Sequence, residues 1–438
     1  MAEGRRGPRV DRPRATAYDV LKAVRVDGAY ANLVLPQLVA RDRLAGRDAA
    51  FATELASGTI RRQGTYDAII DACLDKPRLE AKVRDALRLG VHQLLAMRVP
   101  DHAAISTTVD LVRARIGPGP AGLVNAVLRK VAAHDLDAWV RRVAPDPSAD
   151  PVGHAVVAHS HPRWVVEALA EALDAPGELD ALLAADNDAP RVTLVARPGL
   201  ATVDELVAAG GVARRDSRFA VDLPGGDPAG IPAVAEGRAG VQDAGSQQVA
   251  LAMADAPLDG RDALWLDLCA GPGGKSALLA ALAAERGAAL LANERQVHRA
   301  SLVDRGTRAA RAGLVGVVAG DGTRPPWRPG TFDRVLVDAP CSGLGALRRR
   351  PEARWRREPG DLEALVPLQR ALLGSALASV RPGGVVVYAT CSPVVAETRD
   401  VVADALAARD DVRLEDQWQL WPHRDGTDAM YAATLRRQ

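Results

Sequence analysis

The sequence predicts a multidomain protein: an all-α N-terminal bundle, a small α+β subdomain, and an α/β doubly wound, Rossmann-like domain. Three observations carry this reading. Apolar residues recur at three- and four-residue spacing through roughly the first 140 positions, the period of a helix with one buried face. A Pro/Asp-rich stretch, APDPSADPVG, then interrupts the pattern at 144–153. From about residue 240, short apolar runs alternate with helical stretches, as parallel strands joined by crossover helices do.

Taken in order, ATAYDVLKAV, AAFATELASGTIRR, VRDALRLGVHQLLAM, AISTTVDLVRARI and GLVNAVLRKVAAH are the bundle helices, separated by AGRD, VPDH and GPGP. The bundle is expected over 1–143, with 1–13 a basic, disordered arm, and 144–153 as a linker. Residues 154–235 carry the helix HPRWVVEALAEAL, the strand RVTLVAR and the helix VDELVAAG, the expected small subdomain. Over 236–438 the strands are DALWLDLCA, AALLANE, LVGVVAGD, FDRVLVDAP and VVVYATCS. SALLAALAAERG and LQRALLGSALASV supply helices, and RPGG turns the chain into the fifth strand.

Composition narrows the function classes. No stretch approaches the roughly 20 apolar residues of a membrane helix, and the basic N-terminus lacks the apolar core of a secretory signal. Four cysteines, at 73, 269, 341 and 391, suit a reducing compartment, so a cytoplasmic protein is expected. Their spacing offers no metal site. Residues 1–142 hold 24 Lys/Arg against 16 Asp/Glu, a net of +8, which leaves −7 for the remainder of a chain whose total is +1. A basic front half fits a polyanionic partner, and a solvated helical face equally. Arginine is the usual cation here; of five lysines, Lys275 alone lies beyond position 130.

CAGPGGKS, 269–276, joins a strand to a helix, where backbone N–H groups face a ligand. A dinucleotide fingerprint needs a third glycine where Ser276 stands. A phosphate loop needs a glycine where Cys269 stands, although Gly274-Lys275-Ser276 and VLVDAP imitate a nucleotide hydrolase. The third class is S-adenosylmethionine, and the strand-end acids favour it. Glu294 is placed to accept the ribose hydroxyls, Asp321 to meet the adenine edge, and Asp338 ends the fourth strand. Triphosphate hydrolysis would call for Mg²⁺ and charge neutralisation instead.

Cys341 in VDAPCSGLG and Cys391 in YATCSP follow adjacent apolar runs. Carbon 5 of cytosine is a poor nucleophile, so methylating it takes covalent help. A thiolate adds to carbon 6, making carbon 5 enamine-like; a nearby acid that binds the ring nitrogen or amino group favours the addition. Two strand-end thiols beside an acid therefore select carbon chemistry on a pyrimidine. Spacing does not say which thiol attacks.

LDLCAGPGGK, VDAPCSGLG and YATCSP, in that order, resemble the RNA cytosine-5 methyltransferases of the NOL1/NOP2/Sun group. The resemblance implies that Cys391 is the nucleophile and that Cys341 assists release of the methylated base. It assigns Cys269, Ala270, Gly271, Pro272, Gly273, Gly274, Lys275, Glu294, Asp321 and Asp338 to the S-adenosylmethionine site, Asp338 also touching the cytosine. RDAAFATELASGTIRR and GLVNAVLRKV resemble the NusB-type RNA-binding domain fused to the ribosomal RNA enzymes of this group, and HPRWVVEAL and VQDAGSQ resemble other parts of the same enzymes. The substrate implied is 16S ribosomal RNA; transfer RNA is the nearest rival, and a non-catalytic NusB-like RNA-binding factor a further one. A monomer is expected. One departure is Asp425 in WPHRDGTDAM, where the resemblance leads us to expect a histidine or a neutral residue.

After the first cysteine motif comes ALRRRPEARWRRE. Arg348, Arg349, Arg350, Arg354, Arg356 and Arg357 are expected to clamp RNA phosphates, with Trp355 as a stacking ring. The target cytosine must be unpaired or flipped out for carbon 6 to be reached.

Overall fold

The periodicity of the N-terminal third closes into a helical bundle. The structure, a computed structural model, describes residues 11–75 and 78–438. It divides into two units: the chain through Ala189 with Leu347–Arg356, and Pro190–Ala346 with Arg357–Gln438.

In the first unit, the helix Gly46–Arg61 buries Ala52, Leu55, Ala56, Thr59 and Ile60, one stripe at the expected spacing. Ile69, Ile70, Leu87, Leu89 and Leu128 from the following helices complete the same core. Residues 1–10 of the expected arm lie outside the described residues, whereas Arg12 and Pro13 already open the helix Arg12–Val26. The expected linker is also structured. Asp150 accepts from Gly153 N and caps the helix Pro151–His159, with proline in the first turn. The Asp-Pro pair that reads as a break is thus a helix start. The helices Arg163–Ala172 and Leu179–Ala185 follow in the same unit, so the division falls after Ala189 rather than at 144–153.

The second unit begins with a four-stranded antiparallel sheet: β1 (Val192–Ala196), β2 (Val212–Ala213), β3 (Ala220–Leu223) and β4 (Ala239–Val241), in the order β2-β3-β1-β4. Sequence periodicity finds only β1, because the other three are two to four residues long. The main sheet holds β5 (Leu264–Asp267), β6 (Ala289–Glu294), β7 (Leu314–Ala319), β8 (Phe332–Asp338), β9 (Val380–Thr390), β10 (Val412–Gln419) and β11 (Tyr431–Arg437). Their order is β10-β11-β9-β8-β5-β6-β7. β5 to β9 are parallel, and β11 runs antiparallel to both its neighbours.

The parallel strands are covered on both faces. Met253, Leu278, Leu279 and Leu282 pack on one side, and Leu372, Leu373, Ala376 and Leu377 on the other. β8 is accordingly buried along almost its whole length. RPGG does not precede the fifth strand but lies inside it. Phe332 pairs with Val380 and Arg334 with Val385, and the extra residues form an irregularity in the ladder.

Candidate active site

From β5 the chain crosses to β6 on one side, and β8 lies on the other. Strand order therefore reverses at β5, and the crevice beyond the carboxyl ends of β5 and β8 is where such folds hold ligands. The residues of the two expected constellations lie at or just past the carboxyl ends of the parallel strands.

Cys269–Gly273 leave β5, and the helix Gly274–Glu285 starts at once. Gly273 has φ 113°, and no side chain caps the helix, so its first N–H groups are left for a ligand. The loop is pressed against β6. Glu294, at the end of that strand, accepts from Gly271 N and Gln296 N, both at 3.0 Å. Arg299 donates to Gly271 O at 2.6 Å. A Cβ on Gly271 would stand 2.1 Å from Glu294 Oε2, so only glycine lets the backbone lie on that carboxylate. Gln242, beside Gly274, is buried with Oε1 lacking a partner. A polar edge of backbone N–H groups, a carboxylate and an orphaned amide oxygen fits a nucleoside donor such as S-adenosylmethionine. Ala270 is buried, Pro272 is exposed, and burial drives the Cys269 thiol well above its usual range. Asp321 lies two residues past β7, exposed, its carboxylate held low by Thr323 N and Thr323 Oγ1.

Lys275 Nζ donates to Asp338 Oδ2 at 2.8 Å. Burial pushes the Lys275 ammonium down, but the Asp338 charge and hydrogen bond outweigh it, and Cys391 adds in the same direction. Its proton is held more firmly than usual. Cys391 directly follows β9, Cys341 lies three residues past β8, and their sulfurs are 3.5 Å apart. The bond with Cys391, then burial, holds Cys341 well above the ordinary thiol range, so Cys341 stays protonated. Gly345 N donates to Cys391 O at 2.9 Å, tying the end of VDAPCSGLG to the second cysteine.

Two acids were not singled out from sequence. Asp267 ends β5, buried, and donation from Ser276 Oγ at 2.6 Å does not offset the desolvation that pushes it up to about 7. Its signal was available: it is the fourth strand-end acid of the series. Glu397, buried behind the cysteines, gave no such signal.

The arginine run is divided between the units. Arg354 is 0% exposed and donates to Arg61 O, Ser160 O, Asp186 O and Asn187 Oδ1, so it braces the helical unit and is not a phosphate clamp. Trp355 corrects likewise: Nε1 donates to Ile60 O, and its ring lies where a Cβ of Gly64 would be. Arg348 is buried, and Arg356 donates to Val24 O, Gly28 O and Ala29 O. Arg357 donates to Ser342 O. Arg349 is half-buried and Arg350 exposed, with its guanidinium over Tyr30. Asp425 closes its own turn by accepting from Trp421 N at 2.7 Å, a local structural role. Among the described residues no helix is long and apolar enough to cross a membrane, and no group of three or more His, Cys, Asp or Glu could hold a metal ion.

Fold and site together define a methyltransferase domain joined to a helical one. Residues 253–436 match the family described as 16S rRNA methyltransferase RsmB/F, and residues 11–133 match the NusB family. A putative methyltransferase of Mycobacterium tuberculosis (strain CDC 1551 / Oshkosh) is 51% identical over 459 aligned positions, covering 100% of both chains. A ribosomal RNA small subunit methyltransferase B of Vibrio vulnificus is 31% identical, covering 97% of this chain and 99% of its own. The crystal structure of PH0851 superposes with a TM-score of 0.79 at 20% identity, over 97% of this chain and 99% of that one, and shares the fold. The chain belongs to the RsmB/F methyltransferase family with an N-terminal NusB domain. That membership sets aside both the nucleotide hydrolase and the non-catalytic RNA-binding factor.

Proposed function

We propose that the protein is an S-adenosylmethionine-dependent RNA cytosine-C5 methyltransferase acting on 16S ribosomal RNA as a cytoplasmic monomer. The observation that carries the reaction type is the pair of thiols 3.5 Å apart beside the Lys275–Asp338 ion pair. Methylation of an exocyclic nitrogen needs neither thiol.

S-adenosylmethionine, when bound, supplies an electrophilic methyl group. The loop Cys269–Gly274 and Lys275 bound the donor site, with Glu294 and Asp321 as acceptors for its nucleoside. Cys391 Sγ attacks carbon 6 of an extruded cytosine, and Asp338 accepts from the base and steadies it. After carbon 5 is methylated and loses its proton, Cys391 is expelled with the assistance of Cys341. Exposed Arg350 and half-buried Arg349 and Arg357 add phosphate contacts.

The ribosomal substrate rests on family membership and on the name of the Vibrio relative. Cytosine-resolved methylation mapping in a deletion strain tests it. One site lost from 16S ribosomal RNA is expected; loss confined to transfer RNA would move the substrate there and keep the reaction.

A further inference from the structure

Cys341 and Cys391 are each followed by a serine, and both serines converge on one carboxylate. Glu397 lies in the turn Val395–Glu397, 0% exposed. Its Oε1 accepts from Ser342 N at 2.7 Å and Gln369 Nε2 at 3.0 Å. Its Oε2 accepts from Ser342 Oγ, and from Ser392 Oγ at 2.6 Å. Four donors occupy the acceptor sites of this carboxylate. A buried polar group so fully bonded leaves no unsatisfied acceptor behind.

The two hydroxyls have one proton each, and both protons go to Glu397. The Ser342 Oγ to Ser392 Oγ approach of 2.9 Å therefore follows from a shared acceptor rather than from a bond between them. The carboxylate is itself fixed from other elements. Tyr388 OH donates to Glu397 O at 2.7 Å, and Gln369 Nε2 also reaches Pro340 O at 2.8 Å, just before Cys341. The chain thus leaves β8 and β9 with each cysteine one residue from a common anchor.

From this geometry we infer that Glu397 is a positioning residue: it sets the Cys341–Cys391 separation, and with it the step in which the adduct breaks down. Its carboxylate oxygens are occupied by protein donors from Ser342, Ser392 and Gln369. The second half of the inference rests on the covalent reaction proposed above, whereas the first half does not. A displacement of about 1 Å in a catalytic group costs on the order of 100-fold. Removing the shared acceptor frees both tips at once.

The test uses the full-length protein and two readouts. Phenylarsine oxide condenses with two close thiols, forming two As–S bonds and releasing water, and reports the separation without RNA. Wild type should bind one equivalent tightly, and Cys341→Ala should not. Glu397→Ala should bind at least about tenfold more weakly and should accumulate covalent RNA adduct as turnover falls about 100-fold. Glu397→Gln should recover much of both, since the hydroxyls can turn to accept from the amide. If Glu397→Ala does not fold, Ser392→Ala, which detaches one tip alone, decides in the same direction with a smaller effect. Unchanged arsenical affinity and turnover in the variant that folds would overturn the inference. Weakened arsenical binding by Glu397→Ala, together with no RNA adduct in Cys341→Ala, would uphold the positioning role and reject the covalent reaction.

Discussion

Lys275 Nζ and Asp338 Oδ2 meet at 2.8 Å across the point where the strand order reverses, joining the glycine loop to the cysteine side of the site. Lys275 also feels Cys391. Replacing Lys275 with methionine removes a cation near that sulfur and leaves the Asp338 carboxylate uncompensated. Both changes disfavour the thiolate, so the pH at which Cys391 is alkylated at half its maximal rate should rise. Iodoacetamide rates against pH, with Cys341 replaced by alanine in both proteins, check this. An unshifted profile would show that Lys275 does not tune the nucleophile.

The two cysteines should differ in kind. Cys341→Ala should accumulate a covalent RNA adduct on denaturing gels, because attack proceeds and release does not. Cys391→Ala should neither methylate nor cross-link. The reverse pattern would mean that the roles are exchanged, which the 3.5 Å separation alone would permit.

What could be read from sequence follows from how narrowly chemistry constrains it. A glycine loop, strand-end acids and two thiols must occur as those residue types at strand ends, so Lys275, Asp338, Cys341 and Cys391 were visible before their geometry. Arg354 was misjudged because a run of arginines looks the same whether it meets water or backbone carbonyls. β10 and β11 are not among the expected strands; in VRLEDQWQ the Val412/Leu414 alternation is lost at the Leu414/Asp416 irregularity, where the strand turns polar and exposed. Glu397 was illegible because its partners, Ser342 and Ser392, lie 55 and 5 residues away in sequence. Only the fold brings them to one carboxylate.

Gly271 tests the donor site without touching the thiols. Its Cβ would stand 2.1 Å from Glu294 Oε2 and 2.9 Å from Arg299 Nε. Gly271→Ala must therefore push the loop off β6 or turn the carboxylate away. Calorimetry with S-adenosylhomocysteine should show at least about tenfold weaker binding, equivalent to about 1.4 kcal/mol. Undiminished affinity would place the donor elsewhere.

Arg354→Ala should act on stability rather than on RNA. Burial pushes its guanidinium down only to about 10, so it is charged at neutral pH and serves four buried acceptors. Leaving these unsatisfied should cost about 2–4 kcal/mol. Thermal unfolding should show the loss, and the salt dependence of RNA binding should not change. A shallower salt slope with unchanged stability would restore the clamp.

Asp267 should make stability depend on pH in the sense opposite to most carboxylates. Burial pushes it up to about 7, whereas an unfolded aspartate titrates near 3.9. Between those values the folded chain binds the extra proton. This group therefore stabilises most in acid, and its contribution falls as pH rises from about 4 to 7. The loss is on the order of a few kcal/mol, since each unit of difference is about 1.4 kcal/mol. Asp267→Asn has no proton to lose and can still accept from Ser276 Oγ. Relative to wild type, its melting temperature should gain between pH 5 and pH 8, and the difference between the two proteins cancels every other titrating group. A constant difference across that range would show that Asp267 is ionised in the fold throughout.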